Sequence, residues 1–337
     1  EIWYPKHLSL EQCSSEITAR YKARLFQGDS LTDLTGGFGI DCSFLATGFK
    51  SATYVERQEE LCEIAAHNFP ILNLNHINVR NEDGVAYLQT MSPVDCIFLD
   101  PARRNEHGGK TVAISDCEPN VAEREALLLS KANRVMIKLS PMLDLSLALK
   151  ELKHTQEIHI LSVNNECKEL LILLRQTSPA EIAIHCVNLL TKGTQEEQHL
   201  VFTREQEQRS QCTYTDSLGN YLYEPNASLL KAGAFRSIAA AYPVRKLHPN
   251  SHLYTSDSFI ENFPGRIFRI VNQCSFNKKE VKENLADLKK ANVTVRNFPA
   301  TVAELRKRLH LTEGGDTYLF ASTLNNGQKV IIRCEKV

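Results

Sequence analysis

No Cys-x-x-Cys pair occurs among the ten cysteines, which stand singly from Cys13 to Cys334. Neither a zinc site nor a disulfide framework is therefore written locally, most of these thiols are expected to be buried, and no metal is expected. No apolar run approaches the ~18 to 20 residues of a membrane-spanning helix; Leu170 to Leu174 is the longest aliphatic one. No basic-then-apolar segment opens the chain, so a cytoplasmic protein without a membrane partner is expected. Glu1 stands first without a Met, and the natural start is expected to lie upstream. Internal repeats and low-complexity tracts are absent as well. Net charge is only −1, which hides an asymmetry: residues 1–204 hold 20 Lys+Arg against 27 Asp+Glu, and residues 205–337 hold 19 against 13. A basic second half suits a polyanion partner, and an accident of surface composition would give the same figures.

What is present reads as a globular protein. Hydrophobic residues at 42% and charged residues at 23% argue against disorder. A chain of 337 residues has room for two or three domains. From Leu31 to Leu139, short apolar runs alternate with helical spacing: "LTDLTGGFG", "SATYVE", "HINVRNEDG", "VDCIFLD" and "NRVMIKLSP" read as five strands, with amphipathic stretches between them. That alternation predicts a mostly parallel α/β sheet covered on both faces, with ligands outside the carboxyl ends of its strands. After Leu149 strand-like runs follow one another without a long helix, and antiparallel edge strands are expected to close the sheet. "REQEQRSQCTYTDSLGN" reads as a linker. From Gly265 onward the order β-α-β-α-β-β is expected, ending in a hairpin around "NNG".

The glycines of "DLTGGFGID" sit at the first strand-to-helix turn. Gly37 and Gly39 let backbone approach a ligand, and the next helix offers unpaired N–H groups. A dinucleotide fingerprint would need a third glycine where Cys42 stands, and Asp33 would repel a pyrophosphate, whereas a ligand with a cationic amino-acid head would welcome Asp33. A merely tight turn is the plain alternative. Glu56 ends the second strand, where an acid can accept both hydroxyls of a ribose, and Asp83 follows the third, placed to meet an adenine amine. Each alone would read as a solvated loop acid; their joint position at successive strand ends favours a site.

On these residues, together with "DPAR" at 100–103, the stretch Leu31 to Leu174 resembles the class I S-adenosylmethionine (SAM)-dependent methyltransferases. The resemblance implies a Rossmann-like seven-stranded sheet with a smaller α+β C-terminal part. It also implies a cofactor set of Asp33, Thr35, Gly37, Phe38, Gly39, Asp41, Glu56, Arg57, Asp83, Gly84 and Asp100. Thr35 departs from the glycine many members carry there. In members that modify exocyclic amines, an Asp/Asn-Pro-Pro-aromatic segment receives the amine. Asp100 and Pro101 would do so here by positioning and hydrogen bonding, with Arg103 as third catalytic candidate. Ala102 replaces the second proline and Arg103 the aromatic platform. Arg103 and Arg104 could stack on a base, grip a phosphate, or simply sit in solvent. Similar loops serve uracil C5 methylation, which needs a cysteine after the fifth strand; Ser140-Pro141 stands there, which disfavours covalent chemistry.

"EQCSSEITARYKARL" precedes the core as an amphipathic helix with Ile17, Tyr21 and Leu25 on one face. It reads as packing against the sheet or as a lid reaching inward with Gln12 and Ser15. "NNECKELL" bunches Asn164, Asn165, Glu166 and Lys168 near the acceptor side or in a structural salt bridge. The second half resembles the small domains that follow a DPAR-bearing core in a bacterial family with a THUMP-like C-terminal part, a module associated with RNA modification. Lys278, Lys279, Lys282, Lys289 and Lys290 on one helix, and Arg306, Lys307 and Arg308 on the next, could track a phosphate backbone or form solvated faces.

The expected organisation is a helical segment 1–27, a methyltransferase domain 28–205, a small ferredoxin-like or linking domain 206–265 and a THUMP-like domain 266–337. The expected activity is SAM-dependent methyl transfer to a base amine of RNA, tRNA or rRNA, held at Asp100-Pro101. The alternatives are a non-catalytic SAM- or RNA-binding module of the same fold, or a nicotinamide oxidoreductase.

Overall fold

Strands and helices alternate along the first half in the computed structural model, which describes residues 1–5, 13–103, 113–177, 179–193 and 196–337. In order they are α1 (Glu16–Leu25), β1 (Gly28–Asp33), α2 (Ile40–Ala46), β2 (Phe49–Glu56), α3 (Glu59–Ile71), β3 (Ile77–Asn81), α4 (Gly84–Thr90), β4 (Val94–Leu99), α5 (Val121–Lys131), β5 (Ala132–Leu139), α6 (Leu145–Glu151), β6 (Thr155–Val163), β7 (Glu166–Arg175) and β8 (Ala183–Leu189). The first seven strands lie side by side as β3-β2-β1-β4-β5-β7-β6. All neighbours run parallel except β7, which is antiparallel to both β5 and β6. The chain reverses its direction of travel across the sheet between β3 and β4. The carboxyl ends of β1 and β4 therefore flank the crevice in which such sheets bind ligands.

The seven-stranded class I arrangement is present, and β8 adds a further strand, parallel to β6. The antiparallel strand β7 lies inside the sheet between β5 and β6, and β8 follows beyond β6. β6 and β7 are joined by a tight turn at Asn164 and Asn165, both left-handed (φ 48° and 69°), a conformation that asparagine tolerates. The "NNECKELL" cluster is thereby a hairpin turn with an exposed Lys168–Glu166 ion pair at 2.7 Å.

Alternation along each strand decides which face its residues serve. Leu31, Cys96, Phe98, Met136, Leu171 and Leu173 point to one face, where Tyr21 of α1, Phe26 just after it and Leu45 of α2 pack over them. Leu99 points the other way, toward Leu88 of α4 and Leu128 of α5. α1 therefore packs on the sheet, the plainer of its two readings. Gln12 lies outside the described residues.

Contacts divide the chain into two units, Glu1–Thr191 and Lys192–Val337. The second unit is built on one sheet of β9 (Tyr221–Pro225), β10 (Arg245–Lys246), β11 (Tyr254–Ser256), β12 (Gly265–Ser275), β13 (Asn292–Val295), β14 (Thr317–Thr323) and β15 (Lys329–Lys336), in the order β10-β11-β9-β12-β15-β14-β13. Its helices are α7 (Arg204–Arg209), α8 (Ala227–Ala232), α9 (Phe235–Ala241), α10 (Lys278–Leu285) and α11 (Val302–Leu309). From Gly265 the order is β-α-β-α-β-β, with the final hairpin turning at Gly327. Buried Glu224 on β9 accepts Arg266 Nε at 2.7 Å and Arg296 Nη2 at 3.0 Å, tying β9 to the later part of the sheet.

The proposed linker is no linker. The Glu207 carboxylate of α7 accepts the N–H groups of Arg236 and Ser237, both at 2.8 Å, and so caps the start of α9. The Thr215 N–H donates to the Lys246 carbonyl, and the Lys246 N–H donates to the Thr213 carbonyl. Among the described residues no helix is long and apolar enough to cross a membrane. Seven of the ten cysteines are buried.

Candidate active site

Asp33 closes β1 and is buried. Its Oδ1 accepts the Thr35 N–H at 3.0 Å, which shapes the turn. Burial, together with the negative charges of Asp41 and Asp100 nearby, pushes its carboxyl up to about 8. Among the described residues no lysine or arginine forms an ion pair with it. After Asp33 the chain turns through Gly37 (φ 53°) and Gly39 (φ 83°), conformations that L side chains rarely adopt, and Gly39 starts α2. Tyr54 from β2 donates its hydroxyl to the Gly37 carbonyl and so supports the loop from below. Thr35, the departure from the expected glycine, accepts the Asp100 N–H on its Oγ1 at 2.6 Å and joins the two loops at the crevice.

The other predicted cofactor residues surround this turn. Glu56 accepts the Gly37 N–H at 2.9 Å through Oε2 and the Gln58 N–H at 2.9 Å through Oε1; Arg57 beside it is exposed. Asp83 uses Oδ1 to cap α4, accepting the N–H groups of Val85 and Ala86, both at 3.0 Å. Gly84 allows close packing: a Cβ there would lie 2.1 Å from the Leu34 carbonyl oxygen. Behind it a small apolar cavity of about 10 Å³, room for no more than a water, is lined by Leu34, Gly84, Val85, Leu99, Pro119 and Leu128. Phe38 at the tip of the turn meets the exposed Tyr4 ring, centroids 5.7 Å apart.

Asp100 follows β4, and the sheet register explains its partner. Phe98 faces Met136 across the β4–β5 ladder, so two residues further Asp100 reaches Lys138, whose Nζ lies 2.6 Å from Asp100 Oδ2. Lys138 also touches Asp41 Oδ2 at 3.0 Å and Ser14 Oγ at 3.1 Å. Lys22 of α1, fully buried, pairs with Asp41 Oδ1 at 2.9 Å and Glu169 Oε2 at 2.6 Å, and donates to Ser14 Oγ at 2.7 Å. Two lysines and three carboxylates thus form one network from α1 through α2 to β4, β5 and β7. The two lysines hold the Asp41 carboxyl below its usual range although it is buried. Asp100 stays above its ordinary value because desolvation outweighs Lys138, while the carboxylates raise Lys138 well above the usual ammonium range.

The structure brings together Asp33, Thr35, Gly37, Asp41, Glu56 and Asp100. It also places Pro101, which is buried, directly after Asp100. The Arg103 side chain and the whole of Arg104 lie outside what is described; the Ala102–Arg103 backbone pairs with Cys117–Glu118. In the second unit α10 ends at Leu285, so Lys289 and Lys290 do not share a helix with Lys278, Lys279 and Lys282, although all five are exposed. The chain leaves the helix there to bury Leu288 and Ala291 among Leu285, Leu305 and Leu311. Arg306 is held by Glu313 at 3.1 Å, and Arg308 lies over the Phe276 ring at 4.2 Å. Lys22 and Lys138 escaped the sequence reading. Their signals were a lysine next to Tyr21 on the apolar side of α1, and another inside the apolar run "RVMIKL".

A crystal structure from Porphyromonas gingivalis W83, described as that of a "putative methyltransferase", is 37% identical and superposes with a TM-score of 0.90, covering 100% of this chain and 84% of its own. The chain belongs to that methyltransferase family. Within its second half, family models for a ferredoxin-like domain and a THUMP-like domain match residues 221–264 and 265–336. An rRNA methylase from Streptococcus thermophilus (15% identity, TM-score 0.34, 47% of this chain and 93% of the other) is a much more distant likeness. So is a Streptococcus mutans "putative methyltransferase" in complex with SAH (13%, 0.35, 48% and 96%). No curated protein matches. In this member of the family the glycine turn follows β1 and the Asp100 loop follows β4, both at the carboxyl edge of the sheet.

Proposed function

We propose that the first unit is a SAM-dependent methyltransferase whose acceptor is an amine on an RNA base. The observation that carries this reading is Asp33, a carboxyl buried at a glycine turn without a cationic partner among the described residues and raised to about 8 in consequence. Such a group favours a ligand that brings its own positive charge, and SAM carries an ammonium and a sulfonium. Glu56, which braces the turn, stands where it can meet the hydroxyls of a ribose. When bound, SAM supplies an electrophilic methyl group.

This chain's residues would then position rather than activate. Asp33 and the turn hold the cationic end, Thr35 fixes the Asp100 backbone against the turn, and Asp100 presents Oδ1 to the acceptor while Lys138 holds Oδ2. An amine that donates to Asp100 and to the Pro101 side of the loop keeps its lone pair free for in-line attack, and no strong base is needed. RNA as acceptor is supported by the THUMP-like match and by the exposed Lys278, Lys279 and Lys282 on α10. The test is transfer of labelled methyl from SAM to total RNA. Asp100→Ala should abolish transfer while SAM still binds, and full activity in that variant would refute the assignment. Labelling of protein or small molecules instead of RNA would overturn the acceptor.

A further inference from the structure

Away from the crevice, Glu157 and His159 of β6 and His185 of β8 bring one carboxylate oxygen and two ring nitrogens within 4.8 Å of one another. The sheet dictates this meeting. Glu157 and His159 are two residues apart on one strand and so share a face, and His185 lies directly opposite His159 in the parallel β6–β8 ladder. His159 Nε2 is 3.3 Å and His185 Nε2 3.9 Å from the same oxygen, Glu157 Oε2. His159 is buried at 2%, whereas Glu157 and His185 are partly open, which leaves an entry path. We propose that these three residues bind a divalent cation of the zinc class, with the fourth position open to water.

Two imidazoles and a carboxylate are the donor set that zinc takes, with bonds of about 2.0–2.2 Å that place neighbouring ligand atoms roughly 3.3–3.6 Å apart in a tetrahedron. The separations of 3.3 and 3.9 Å to Glu157 are already close to that. The two rings are stacked, with centroids 4.3 Å apart and planes 12° from parallel. The more exposed His185 therefore has to rotate for its nitrogen to converge on the cation. His159 is oriented from behind: its Nδ1 lies 2.8 Å from the Tyr21 hydroxyl. With Nδ1–H donated to that oxygen, Nε2 presents its lone pair to the metal, the arrangement by which neighbouring groups orient metal-binding histidines. Tyr21 precedes Lys22, so the cation would brace α1 at the residue beside the one that enters the buried charge network.

The test is calorimetric titration of chelator-treated full-length protein with ZnCl2, followed by cobalt(II) spectroscopy. The expected result is one equivalent per chain, with cobalt d–d bands of nitrogen and oxygen ligation and no sulfur charge transfer. Glu157→Gln and His185→Asn, both at partly exposed positions, should each weaken binding at least tenfold, with folding checked by circular dichroism. Tyr21→Phe should weaken it about 10- to 100-fold, as loss of an orienting partner does. Absence of zinc binding, cobalt spectra with sulfur bands, or binding unchanged in both ligand variants would overturn the proposal.

Discussion

Replacing Lys138 with Met removes a charge at nearly constant stem volume. Lys138 Nζ lies 2.6 Å from Asp100 Oδ2 and 3.0 Å from Asp41 Oδ2. At an effective dielectric near 20, a unit-charge pair at about 3 Å is worth roughly 5 kcal/mol before desolvation is counted. Leaving a buried charge without its partner costs about 3–5 kcal/mol. Asp41 keeps Lys22, so the lower end, about 3 kcal/mol, is expected. The deficit should depend on pH. Without the lysine the Asp100 carboxyl, already above its ordinary value, rises further. A raised carboxyl contributes stability that is full below its unfolded pKa of about 3.9 and lost as the pH climbs through the folded value. Urea unfolding of the variant should therefore show a small deficit near pH 4.5 and the full one near pH 8. Equal deficits at both pH values, or none at pH 8, would refute the network's role.

Gly84→Ala places a methyl 2.1 Å from the Leu34 carbonyl, and should cost about 1–3 kcal/mol by thermal unfolding and weaken SAM binding together. Glu224→Ala leaves Arg266 and Arg296 without their shared acid; because both guanidiniums are partly exposed, the lower end of about 3–5 kcal/mol is expected in urea titrations of the full chain. If α10 lies on RNA, changing Lys278, Lys279 and Lys282 to Glu should weaken binding and flatten its dependence on salt, by about 0.7 to 0.9 in log–log slope for each phosphate no longer neutralised.

The strand grammar from Leu31 to Leu139 was legible because each buried parallel strand must be a short apolar run and each crossover must be amphipathic. Asp33, Glu56 and Asp83 were legible as acids because they terminate those runs. Their local duties were less so: Asp83 caps α4 and Glu56 braces Gly37, interactions that depend on turn geometry. Lys22 and Lys138 were hidden because a lysine is buried only if carboxylates from distant segments meet it, and Asp41 and Glu169 lie far from both in sequence. Helix length was misjudged at α10 because Val281, Leu285 and Leu288 keep helical spacing although the helix ends at Leu285, and the chain beyond it still delivers Leu288 and Ala291 to the same core. α7 looked like a linker because its value lies in the Glu207 cap for α9, invisible in composition.

The most direct test of the central claim is calorimetric titration with SAM between pH 6 and 9, in buffers of differing ionisation enthalpy, for the natural chain and for Asp33→Asn. A carboxyl near 8 is mostly protonated at pH 7, so a cation that binds against it should expel close to one proton. Affinity should then rise up to tenfold per pH unit until about pH 8 and level off, and Asp33→Asn should bind more weakly with neither proton release nor pH dependence. SAM binding without proton uptake or release in the natural chain, or binding left intact in Asp33→Asn, would contradict the account.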